Sequence, residues 1–71
     1  MEYTYVTTSP FVEGKPMQIQ VRNKLGAYLG AYRGYYNYRR KCVKCYPAHN
    51  PSGISLPVCE ISEKLIHRRA P

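Results

Sequence analysis

Apolar and polar residues alternate most regularly between Met17 and Arg22, where Met17, Ile19 and Val21 interleave with Gln18, Gln20 and Arg22. A period of two sends the two sets to opposite sides of a strand, so this segment predicts a half-buried β-strand. Residues 3–8, Tyr3 to Thr8, are aromatic and β-branched and predict an earlier strand. Ser9-Pro10 and Gly14-Lys15-Pro16 punctuate the chain between the two. After Arg22, the group Asn23, Lys24 and Gly26 supplies turn chemistry for a hairpin.

Residues 25–38 fit two patterns. On a helix, Leu25, Tyr28, Leu29, Tyr32, Tyr35 and Tyr36 form one stripe. On a strand, Tyr28, Tyr32, Tyr36 and Tyr38 share one face, broken by Gly30 and Gly34. Interior glycines cost a helix roughly 1 kcal/mol each relative to alanine, whereas glycine suits the bends of a twisted sheet. Tyrosine density favours the strand, with Tyr28, Tyr32 and Tyr36 directed to the core.

Beyond Tyr46 the residues Pro47, Asn50, Pro51, Ser52, Gly53 and Pro57 exclude a long regular element. Ile54 to Val58 reads as a short edge strand ended by Pro57. Ser62 is positioned to cap a short C-terminal helix carrying Lys64, Leu65, Ile66, His67, Arg68 and Arg69. The chain therefore reads as one domain: a β-rich, tyrosine-containing part over 3–41, a loop region over 42–67 and a frayed tail over 68–71.

Length changes how that domain must be held together. A chain of 71 residues buries only about 60% of its extended surface, and such small cores usually need a metal, disulfides or a partner. Eight of its apolar positions are tyrosines, which pack by their rings but need partners for their hydroxyls. Three cysteines cannot all pair internally, and no positive-then-apolar leader opens the chain, so reduced thiols or a metal site fit better than a disulfide scaffold.

Cys42-Val43-Lys44-Cys45 has the spacing of a zinc knuckle, in which two thiolates point at one ion. Cys59 offers a third ligand. His49, in a loop bracketed by Pro47 and Pro51, is the preferred fourth, with His67 the alternative. The competing readings are a redox dithiol, with neighbouring Arg39, Arg40, Lys41 and Lys44 lowering the thiol pKa, and plain reduced cysteines packed as small hydrophobes. The expected fold is a small β-rich, zinc-stabilised domain: an antiparallel hairpin or sheet, a zinc knuckle loop and a short C-terminal helix. The zinc is structural.

Charge points to the partner. The net charge is +7, and no acidic residue lies between Glu13 and Glu60. A one-sign field of this kind attracts polyanions. Inside that interval Arg33, Tyr35, Tyr38, Arg39, Arg40, Lys41 and Lys44 combine rings that can stack on unpaired bases with cations that can meet phosphate. They are the candidate binding set for nucleic acid, single strands in preference to duplex, with weak sequence dependence. The alternative is a viral or phage-type accessory protein that docks the same face on an acidic host protein, or on another copy of itself, since tyrosine and arginine also anchor protein interfaces. No paired carboxylates, phosphate loop or nucleophile motif suggests an enzyme. No apolar run is long enough to span a bilayer, so the expected compartment is the cytoplasm, or a particle assembled there.

Overall fold

The computed structural model describes residues 2–70. Six strands form one sheet: β1 (Thr4–Thr7), β2 (Met17–Arg22), β3 (Tyr28–Asn37), β4 (Cys42–His49), β5 (Cys59–Ser62) and β6 (Ile66–Arg68). Their spatial order is β5-β4-β3-β2-β1-β6. Every neighbouring pair is antiparallel except β1 and β6, which run parallel. The two edge strands are separated in sequence only by a 3-10 turn, Glu63–Leu65. Three residues cannot cross a flat six-stranded sheet, whose strands are spaced about 4.8 Å apart. The sheet therefore curls until its edges approach, and it encloses one core. Among the described residues no helix is long and apolar enough to cross a membrane.

The alternation in β2 is realised at the expected bounds: Met17, Ile19 and Val21 are buried. The β2–β3 turn closes through Asn23, whose Oδ1 accepts from the amides of Leu25 and Ala27, both at 2.9 Å. Gly26 takes a positive φ of 88° there, a conformation that glycine adopts at little cost. Residues 28–37 form a strand and not a helix, and two of the glycines that weakened the helical reading are required by close approach. A Cβ on Gly30 would lie 2.7 Å from the His49 carbonyl oxygen, and one on Gly34 would collide with Val43 Cγ1. Both face the inside of the curl, where facing strands come nearest.

Tyr32 and Tyr36 enter the core as expected, but Tyr28 does not. The pairing runs Val21 with Gly30 and then Arg22 with Tyr28, so Leu29 is an extra residue in β3. Such a bulge reverses the alternation beyond it, and Tyr28 emerges on the outer face. The core comprises Met17, Ile19, Val21, Tyr32, Tyr36, Val43, Cys45, Leu56, Ile61 and Ile66. The buried hydroxyls are satisfied locally. Tyr32 donates to the Pro57 carbonyl at 2.9 Å, and Tyr36 donates to the Glu63 carboxylate.

The C-terminal third departs from expectation. Ser62 does cap a helical turn, accepting from the Lys64 amide, but the turn is a single 3-10 turn and the short C-terminal helix does not form. Ile66 is buried and pairs with Tyr5, and β6 continues to Arg68. Pairing satisfies the outer edge of β1, which a helix would leave open. The tail is held as far as Arg69, whose amide donates to the Thr7 carbonyl at 2.8 Å; Pro71 lies outside the described residues. The segment 54–58 forms no strand. It drops Leu56 into the core, and β5 begins at Cys59, after Pro57 has interrupted the supply of backbone donors.

Candidate nucleic-acid interface

Residues 42–49, expected to begin a metal loop, are the strand β4. On a strand, residues three apart face opposite sides. Val43 and Cys45 point inward and are fully buried, whereas Cys42 lies on the outer side, its thiol 3.7 Å from Glu60 Oε2. Cys42 and His49 stand seven residues apart on the same strand, roughly 20 Å at about 3.3 Å per residue. His49 Nδ1 lies 2.9 Å from the Tyr28 hydroxyl, and the two rings stack at 5.9 Å. His67 is exposed on the edge strand β6, which pairs with β1 and not with β4 or β5. In this arrangement Cys42, Cys45, Cys59 and either histidine are not gathered around one point. Among the described residues no three His, Cys, Asp or Glu side chains gather as a metal-binding group.

What the strands do bring together is Cys45 and Cys59, paired across β4 and β5. Burial, reinforced by the neighbouring Cys59 and Cys42 thiols, pushes the Cys45 thiol up to about 12. It is therefore a protonated core group, donating to the Val43 carbonyl at 3.4 Å. The Cys59 thiol reaches the Tyr32 hydroxyl at 3.7 Å. Desolvation by burial, and then that contact, raise the Tyr32 pKa. Cys45 packs in the core as a small hydrophobic group, and Cys59 lies partly buried against it.

The outer face of β3 and β4 carries the cations and rings. Arg33 pairs with Tyr46, and Tyr35 pairs with Lys44. Cations thus occupy one diagonal of a four-residue patch and tyrosines the other. The two tyrosine rings meet edge to face, with centroids 6.1 Å apart and planes at 72°. All four side chains are exposed. The Tyr28–His49 stack lies on the same face, toward the far end of the two strands. A curled sheet allows this because its inner face must be apolar and its outer face is free to carry charge.

The other expected binding residues sit on the β3–β4 turn at one end of that patch. Tyr38 is 64% exposed, and its amide donates to Glu13 Oε1 at 2.6 Å. The Lys41 ammonium lies 4.1 Å above the Tyr38 ring, a cation–π contact. Lys41 also takes a positive φ of 54°, which closes the turn. Arg40 is bound to Glu60 at 3.0 Å. Arg39 is exposed, with no carboxylate among the described residues in contact with it.

Each of the four carboxylates is engaged within the molecule: Glu2 with Lys24, Glu13 with Tyr38, Glu60 with Arg40 and Glu63 with Tyr36. The hydrogen bond from Tyr36 to Glu63, followed by burial, pushes the tyrosine up to about 12. Arg33, Lys44 and Arg39 have no such counter-ion among the described residues, so the patch and the adjoining turn are electropositive.

Tyr46 and the Tyr28–His49 pair belong to this face and were not in the expected set. The signal for Tyr46 was present, since Lys44 and Tyr46 alternate with Val43 and Cys45 across the segment. The two-residue spacing of Cys42 and Cys45 also fits a knuckle loop, which hides that alternation. No family model, curated protein or solved structure matches the chain.

Proposed function

We propose that the protein binds single-stranded nucleic acid, with weak sequence dependence, through the outer face of β3 and β4. The observation that carries this reading is the crossed arrangement of Arg33 and Lys44 with Tyr35 and Tyr46. Rings spaced on a rigid sheet offer stacking surface to unpaired bases, and cations between them meet the phosphates that link those bases. Duplex keeps its bases stacked inside and uses only the charges, so single strands bind more tightly. The described residues include no α-helix that could serve as a recognition helix, and base-edge readout is not part of the proposal.

The test is titration of the protein with single-stranded RNA, single-stranded DNA and duplex DNA at several salt concentrations. Preference for both single strands over duplex, persisting as salt rises, supports the reading. Equal, wholly salt-driven binding to all three reduces it to charge attraction. No binding at low salt ends it, and the face is then a docking surface for an acidic protein.

A further inference from the structure

A groove of about 250 Å³ opens beside β1 and β2, lined by Val6, Thr8, Gln18, Gln20, Arg22 and Arg69 among others. It is smaller than the roughly 300–1,000 Å³ usual for a small-molecule pocket, so it suits one small group and not a whole cofactor. Among the described residues its lining contains two arginines and no carboxylate side chain. One of the arginines is held rigidly: Arg22 donates to Gln20 Oε1 through Nε at 3.2 Å and Nη2 at 2.7 Å, and to the Gly26 carbonyl through Nη1 at 2.8 Å. With its oxygen taken, Gln20 retains its amide N–H donors for a ligand. The groove is therefore rich in donors, cationic and pre-organised, which are the properties that recognise an anionic oxygen group.

Its position supplies the rest. Gln18, in the groove lining, is the cross-strand neighbour of Arg33, and Arg33 is the neighbour of Tyr46. The row Tyr46–Arg33–Gln18 crosses two strand spacings, about 10 Å. It joins the aromatic patch to the groove without an intervening acidic side chain.

We infer that the groove is a phosphodiester site for the strand bound on β3 and β4. A strand stacked on Tyr35 and Tyr46 runs across the sheet toward β1 and sets a backbone phosphate, with its sugar, between Arg22 and Arg69. This rests on the nucleic-acid reading of the β3–β4 face. It adds a direction of travel and a second contact zone that short ligands do not reach.

The experiment compares oligouridylates of about four and about twelve nucleotides, a short and a long length within the common range of single-strand site sizes. They are titrated into the wild type, Arg69→Gln and Arg33→Gln at several salt concentrations. Arg69 suits the test because its fold contact is through its backbone amide, which the substitution keeps. Arg69→Gln is expected to leave the short ligand's affinity unchanged, weaken the long ligand several-fold, and make the long ligand's log–log salt slope shallower by about 0.7, one phosphate contact. Arg33→Gln weakens both lengths. If Arg69→Gln binds the long ligand as the wild type does while Arg33→Gln weakens both, the groove site is refuted and the β3–β4 reading stands. If the wild type binds neither length, both fall. A parallel titration with inorganic phosphate follows the Gln18 and Gln20 side-chain amides by NMR. Saturation by phosphate alone as tightly as by the long oligonucleotide makes the groove a free-anion site and overturns the continuous track.

Discussion

Cys45 and Cys59 stand directly opposite each other on β4 and β5, and it is the facing of these two thiols, not the spacing of Cys42 and Cys45, that the fold creates. The pair differs in access: Cys45 is fully buried, and Cys59 is partly exposed. Alkylation of native protein should therefore modify Cys59 before Cys45, with Cys45 reacting only as the protein unfolds. Mass mapping of partially labelled protein checks the order; early labelling of Cys45 would show that β5 opens readily.

Because the cysteines and histidines lie on different faces and edges, a chelator is expected to leave the thermal unfolding midpoint unchanged. A large drop on chelation, together with stoichiometric zinc, would mean that the 42–59 region rearranges to gather its ligands, since structural metal sites contribute folding free energy directly.

Alkaline pH should weaken the fold. The Cys45 thiol has a folded pKa of about 12 against an ordinary 9.0, so the folded molecule holds this proton longer than the unfolded one. Its contribution is present in full below pH 9 and is lost as pH rises toward 12. Tyr36, raised from 10.0 to about 12, acts with the same sign in a slightly higher window. Denaturant midpoints measured on both sides of pH 9 should fall on the alkaline side. Cys45→Ala should lower stability at neutral pH and flatten that fall; an unchanged slope would assign the effect to Tyr36 and the other tyrosines.

Gly30→Ala and Gly34→Ala should each destabilise the protein by about 1–3 kcal/mol, the range for overpacking a filled interior. Gly30→Ala is expected to be the worse of the two. Its obstacle is the backbone oxygen of His49, whereas at Gly34 the nearest atoms belong to the side chains of Val43 and Ile19. Equal, near-zero effects by chemical denaturation would mean that the curl relaxes more easily than its packing suggests.

Ring and charge contributions to binding are separable. Tyr35→Ala and Tyr46→Ala should each cost about 1–3 kcal/mol with single strands and leave the salt dependence nearly intact. Replacing Arg33 and Lys44 together by glutamine should instead flatten the slope by about 0.7 per lost phosphate contact. On the turn, Arg39→Gln should weaken binding more than Arg40→Gln, because Arg40 is already committed to Glu60. The reverse order would show that the Arg40–Glu60 pair opens when ligand binds, as exposed ion pairs can at little cost.

Much of this molecule follows from local pattern. The alternation of Met17 to Arg22 defines β2 because burying one face admits only one register, and Asn23 with Gly26 closes its turn through bonds within the turn itself. The acid-free interval and the tyrosines of β3 are likewise readable in order along the chain. Long-range contact decided the remainder. Whether Cys42 and Cys45 face one ion or opposite sides depends on whether the segment is loop or strand, and pairing with β3 and β5 makes it strand. Ile66 to Arg68 has too few residues to declare a period, so β1, some sixty positions earlier, determines that it is a strand. A single extra residue at Leu29 turns Tyr28 outward, and no composition or spacing reveals a bulge. The crossing of Arg33 and Lys44 with Tyr35 and Tyr46 is also a matter of register between two strands, which exists only once the sheet has formed.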